Sequence, residues 1–196
     1  MGTYSLSTVT AATLNAVELC DAKSHLNVDH SDDDVEINRI IRQATAWVET
    51  RIGRHLARTV LMTKYWGFTS TICLVDGPVQ EVISITYLDV DQVEQTLAAS
   101  QYNLDAPNRI IYPAYGVSWP NALYDWNAVR VTYAVGYYDA TTSPVNGNEN
   151  IPEDLRAGIL LAAGDMYENR ERQQDIQLYK NDFADALIMP YRIMEL

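Results

Sequence analysis

The chain has 196 residues, of which 47% are hydrophobic and 20% charged, and it carries a formal net charge of −12. That is enough apolar material for one domain, or one compact domain with an extension, and it argues against disorder. The acidic balance argues against wrapping nucleic acid, whose phosphates it would repel, though not against lining a channel through which DNA slides without sticking.

No run approaches the roughly 20 apolar residues of a membrane span. The start lacks the basic segment of a signal peptide. Leu6 stands where N-myristoylation wants Ser or Thr. Cys20 and Cys73 have no metal-binding spacing and are expected as free thiols of a cytosolic protein.

Residues 1–13 are rich in Ser, Thr and Ala without an apolar period, and are expected as an irregular N-terminal arm. A short helix is expected over 15–26, with Val17, Cys20 and Leu26 facing inward. The strongest pattern is Ser31 to Gly53. Ile37, Ile40, Ile41, Ala44, Trp47, Val48 and Ile52 recur at steps of three and four and share one face. Ser31 or Asp32 can cap this helix, expected over 32–52. Asp33, Asp34 and Glu36 suit the positive end of its dipole, and Gly53 suits a left-handed stop.

After Gly53 the pattern turns to strands, and an antiparallel β region of five to seven short strands is expected over 59–138. Thr59 to Phe68 is β-branched and aromatic, and Thr71 to Val75 ends at the turn signal Asp76-Gly77-Pro78. Val82 to Asp89 and Val93 to Ala98 read as a hairpin. Tyr102 to Leu104 and Arg109 to Tyr112 flank the turn at 106–108. The last strand alternates most cleanly, with Val129, Val131, Tyr133 and Val135 on one side and Arg130, Thr132 and Ala134 on the other.

Pro152 opens a third helix, expected over 152–171, with Glu153 and Asp154 in its first turn. Leu155, Ile159, Ala162 and Met166 form a stripe, which Leu160, Leu161, Ala163 and Tyr167 widen nearly all the way round. Such a helix is buried on two sides, and in a small domain the second side can be another subunit. Leu160, Leu161 and Tyr167 are therefore candidates for an inter-subunit contact. The tail, 176–196, is unusually apolar for a chain end. Phe183, Leu187, Ile188, Met189, Pro190, Tyr191, Ile193 and Met194 form an arm that should dock, on its own domain or on a partner.

Nothing here points to catalysis, a metal or a cofactor. A calcium loop starting at Asp29 would need Gly where Asp34 stands and Glu where Ile40 stands. No phosphate loop, nucleophile elbow, dinucleotide fingerprint or zinc motif occurs. Asp89 and Asp91 sit at a turn, where Asp serves local hydrogen bonds. The loop 113–127, with Tyr115, Trp119, Tyr124 and Trp126, can stack on a sugar or peptide. Alternatively its rings cover one end of the sheet or meet a neighbouring subunit, which makes Trp119 and Trp126 further interface candidates.

The order of several stretches resembles the head–tail connector, or adaptor, proteins of tailed bacteriophages, in their gp6-like and phiE125 gp8-like families. The matching stretches are 22–29 running into Asp32-Asp33-Asp34, then 44–49 with Gly53-Arg54, then 82–89. They continue with Arg109-Ile110, 115–120, Val129 to Tyr133 with Gly136-Tyr137, Ile151-Pro152, and 167–171. Together they span roughly residues 17–172. Departures are the missing glycine at Asp91-Gln92-Val93, Gly158 where alanine is common, and the tail after Gln173.

The resemblance implies an α+β subunit: a small bundle of three main helices with an inserted antiparallel β region and an extended C-terminal arm. A connector domain would cover 14–175. The implied role is structural. Subunits assemble as a ring, typically a dodecamer, beneath the portal at the virion neck, after synthesis in the host cytoplasm. The ring extends the channel for double-stranded DNA without binding it specifically, and offers a platform to a tail-side stopper or terminator protein. In related adaptors a C-terminal segment reaches the portal, which suits the apolar tail. A head-completion stopper or tail-terminator ring is the rival within this class. The rivals outside it are a ligand-binding module built on the 113–127 loop and a small hydrolase, which would need a carboxylate pair in a cleft.

Overall fold

The structure is a computed structural model and describes residues 4–10, 15–137, 151–168 and 182–192. The chain forms two compact units. One comprises Met1–Ala12 and Arg58–Tyr137, the other Thr13–Ala57 and Tyr138–Leu196.

The second unit is helical: α1 (Leu19–Leu26), α2 (Asp34–Ile52), α3 (Glu153–Glu168) and α4 (Asp182–Ile188), the last running into a 3-10 turn at Met189–Tyr191. The apolar stripe of α2 is its core face. Ile37, Ile40, Ile41, Ala44, Val48 and Ile52 are all buried, while Trp47 is half-buried beneath the Arg51 guanidinium, 5.3 Å from its ring centre. Gly53 ends α2 at φ +66, its N–H donating to the Glu49 carbonyl at 2.9 Å.

The expected cap of α2 is not made by Ser31 or Asp32. The N-cap is Asp33, without a side-chain cap bond. The acids serve tertiary contacts instead: Asp33 Oδ2 accepts from the Tyr167 hydroxyl at 2.5 Å, and Asp34 Oδ1 accepts from Lys23 Nζ at 2.7 Å. The first helix starts at Leu19 rather than Asn15, because Glu18 is extended. That changes its inward face. Ala22 is buried and Cys20, expected inside, is exposed, while Val17 is buried from outside the helix.

Among the described residues the first unit holds eight strands: β1 (Ser5–Thr10), β2 (Thr59–Tyr65), β3 (Ile72–Cys73), β4 (Val79–Leu88), β5 (Glu94–Thr96), β6 (Tyr102–Asp105), β7 (Ile110–Pro113) and β8 (Val129–Val135). They form a five-stranded antiparallel sheet, ordered β1-β2-β8-β4-β5, and a three-stranded one, β3-β7-β6. β8 lies at the centre, and Val129, Val131, Tyr133 and Val135 enter the core with Leu61, Ile85 and Ile111. The Tyr65 hydroxyl donates to the Cys73 carbonyl at 2.7 Å, tying β2 to β3.

The expected irregular arm is corrected here. Ser5–Thr10 pairs along β2, from Ser5 opposite Lys64 to Thr10 opposite Val60. The hairpin between β4 and β5 forms as expected, with Gln92 at φ +62 taking the place of the missing glycine.

Candidate functional site

The tail residues are the first candidates. Phe183 is 65% exposed and Met189 60% exposed, while Ile188 and Ala184 are buried. Leu187 and Tyr191 are half-buried, Pro190 is exposed, and Ile193 and Met194 lie outside the described residues. Thus α4 is amphipathic and its inner face is seated on α3. A Cβ added to Gly158 would lie 2.8 Å from Ile188 Cγ2, so glycine is what lets the two helices close. α4 thereby covers α3 at Gly158 within the same chain.

Polar contacts frame that seat. Arg51 Nη2 donates to Asp185 Oδ2 at 2.7 Å, and the Tyr191 hydroxyl donates to Asp154 Oδ2 at 3.3 Å. Beside the Arg51–Asp185 pair lies a cavity of about 350 Å³ lined by Ile52, Ala186, Ile188, Met189 and Arg192 as well. Its lining combines apolar side chains with Arg51, Asp185 and Arg192, a mixture that suits a docked side chain. The α3 candidates Leu160, Leu161 and Tyr167 are half-buried. Of these Tyr167 is engaged within the chain by its bond to Asp33.

The aromatic loop divides in two. Trp119 stacks on Phe68 at 4.9 Å with an interplanar angle of 12°, and Phe68 meets the edge of Tyr87 at 5.5 Å. Trp119 Nε1 donates to the Ser70 carbonyl at 3.4 Å. This ring covers the β core. Trp126, 42% exposed, instead meets Trp66 edge-on at 5.5 Å, and Tyr124, 81% exposed, lies 5.9 Å from Trp66. Trp66 belongs to this exposed cluster and was hidden in the sequence by its place at the end of a strand pattern. Tyr115 is fully exposed.

Asp89, at the β4–β5 turn, is engaged locally. Asp89 accepts from the Gln95 amide at 3.0 Å and from the Val93 and Asp91 N–H groups at 2.9 Å each. The Gln95 bond, followed by the Val93 N–H, holds its carboxyl below the usual range, so it is a turn organiser fixed in the charged form. The hydrogen bond to Glu18, with some desolvation, pushes the Cys20 thiol up, away from nucleophilic reactivity. Among the described residues no group of His, Cys, Asp and Glu could hold a metal ion, and no helix is long and apolar enough to cross a membrane.

The fold has counterparts in solved structures. The chain superposes on a chain of the virion of the native gene transfer agent particle with a TM-score of 0.73 at 22% identity, covering 97% of this chain and 96% of that one. Chains from the neck of the empty particle, computed with C6 symmetry, and of the native particle, computed with C12 symmetry, each give a TM-score of 0.71. Their identities are 21% and 20%, and each comparison covers 98% of this chain and 97% of the other. No curated protein matches the chain. Residues 16–105 match the family model of the Phage gp6-like head-tail connector proteins, so that stretch carries the connector sequence pattern on a fold shared with gene transfer agent neck structures.

Proposed function

We propose that this chain is the subunit of a head–tail connector ring in the neck of a tailed phage or phage-like particle. It is a structural virion protein and not an enzyme. The match of residues 16–105 to the connector family carries the reading. The similarity to neck structures computed with six- and twelvefold symmetry supports a closed homo-oligomer. In this reading the ring, a dodecamer, sits beneath the portal, extends the DNA channel, and presents a docking platform to a tail-side stopper or terminator. The exposed side of α4, with Phe183 and Met189, contacts the portal or an adjacent subunit, and the exposed Trp66, Tyr124 and Trp126 rings offer a second contact.

Charge fits the channel role. The β unit holds seven acidic and four basic residues, and the helical unit nineteen and ten, so the acidic excess is concentrated in the helical unit. An acidic chain repels phosphates, which suits a wall that lets DNA pass. Native mass spectrometry of the chain, alone and mixed with its portal, tests the reading. A ring, or a monomer that becomes a ring on portal, is expected. A monomer that ignores both portal and tail proteins would overturn it.

A further inference from the structure

We propose that β1 is an inter-subunit strand, and that its outer edge pairs with the β5 edge of a second copy, joining the five-stranded sheets head to tail around the ring. This rests on the ring reading above and names the contact that closes it.

β1 and β5 are the two outer strands of the sheet, so each pairs with a neighbour on one side only. β1 is unusual in its burial: Ser5 is half-buried and the next five residues are exposed, so neither of its faces is covered. A strand held by its ladder to β2 and by the Ser7 hydroxyl, which donates to the Met62 carbonyl at 3.4 Å, gains little from burial in its own subunit. Apart from one register shift against β2 between Thr8 and Thr10, it lacks the usual protections of an edge. Residues 4–10 contain no charge, no proline and no glycine, and the first charged residue of the chain is Glu18. Tyr4, Leu6 and Val9 are exposed at 48%, 40% and 53%.

The occupant follows from charge and from closure. A second copy also carries −12, and an uncharged strip is where two such chains meet without like-charge repulsion. A rotational ring needs a heterologous contact, in which one patch meets a different patch. The opposite edge supplies it. Glu94–Thr96 is exposed throughout, and beside it stand Val93 and Val90, 53% and 67% exposed, to meet the apolar side chains of β1. The one carboxylate on β5, Glu94, is already paired with Arg130 at 3.2 Å. The rest of the open β4 edge is less suited, since its register shifts between Val79 and Glu81 and again between Val82 and Ser84.

Disulfide trapping tests this in a Cys20→Ser, Cys73→Ser background, which removes both exposed native thiols. Rings assembled with portal from chains carrying Ser7→Cys and Thr96→Cys should give, on oxidation, a ladder of covalent multimers, and each single variant should stay monomeric on a denaturing gel. Dimers from Ser7→Cys alone would mean β1 pairs with itself and would overturn the proposal. So would intact rings without a ladder, while leaving the connector reading in place. Failure of the unmodified chain to form any ring with portal would remove both. Independently, Leu6→Lys with Val9→Lys should reduce ring formation at least tenfold with the subunit's melting midpoint unchanged, because both side chains are exposed in the subunit. Undiminished rings would sink the idea.

Discussion

Gly158 on α3 and Ile188 on α4 approach so closely that a single added methyl at 158 would lie 2.8 Å from Ile188 Cγ2. Two effects oppose each other in Gly158→Ala. Alanine favours a helix interior by about 1 kcal/mol over glycine. Overpacking a fitted contact costs roughly 1–3 kcal/mol, and here the obstacle is a branch methyl close to the backbone, not the end of a flexible chain. The expected outcome is a net loss of about 1 kcal/mol, read by urea unfolding. Ile188→Ala alone should cost roughly 2–5 kcal/mol as a buried truncation. The double variant should fall short of the sum, because the truncation makes room for the new methyl. Strict additivity would show that the two residues do not share this contact.

The same helix separates folding from attachment. Phe183 and Met189 are exposed, so Phe183→Ser and Met189→Ser should change subunit stability by no more than about 0.5 kcal/mol. If the outer face of α4 contacts the portal, both should weaken co-purification with portal at least tenfold. Equal loss of stability and attachment would place these side chains in the subunit's own packing instead.

How much of this was legible in the sequence depends on whether an element has one covered face. α2 does, and its stripe from Ile37 to Ile52 is buried as the spacing of three and four requires. β8 does, and its Val–Val–Tyr–Val alternation marks the sheet's centre. β1 has no covered face, so Ser5–Thr10 shows no alternation and reads as an arm although it is a strand. The seat of α4 was only half legible. A glycine at 158, inside a helix, permits a close approach but does not say which neighbour makes it. The split of the aromatic loop was not legible at all, since Trp119 and Trp126 differ only in what lies beneath them: Phe68 under one, the exposed Trp66 beside the other.

Two tyrosines set an alkaline limit. Burial pushes the Tyr65 and Tyr133 phenols above their ordinary range of about 10. For a group whose folded pKa is raised, the stabilisation is complete below the unfolded pKa and is lost as pH climbs toward the folded one. Stability should therefore be unaffected by these groups up to about pH 9 and decline above pH 10. Tyr133→Phe removes one of them, and also the 3.1 Å contact with Thr63. It should cost roughly 1 kcal/mol at neutral pH and flatten the alkaline decline, as followed by urea midpoints between pH 8 and 11. An unchanged slope would assign the decline to other groups.

The two tryptophans of the aromatic loop should respond in opposite ways. Trp119 lies flat on Phe68, with its indole N–H on the Ser70 carbonyl, so Trp119→Ala removes both a stacked ring pair and cover over the β core. A full Trp truncation costs 3–5 kcal/mol, and a half-buried one about 2 kcal/mol. Trp126 has 42% of its surface free and meets Trp66 edge-on, so Trp126→Ala should cost less than about 1 kcal/mol. If the exposed cluster is an assembly contact, the order reverses in the ring. Trp126→Ala should then lower the yield of assembled ring at fixed subunit concentration while the subunit melts normally, as exposed aromatics often carry interface energy out of proportion to their number. Thermal denaturation of the subunit and native mass spectrometry of the assembly separate the two. A Trp126→Ala chain that melts normally and assembles normally would leave that cluster outside the interface.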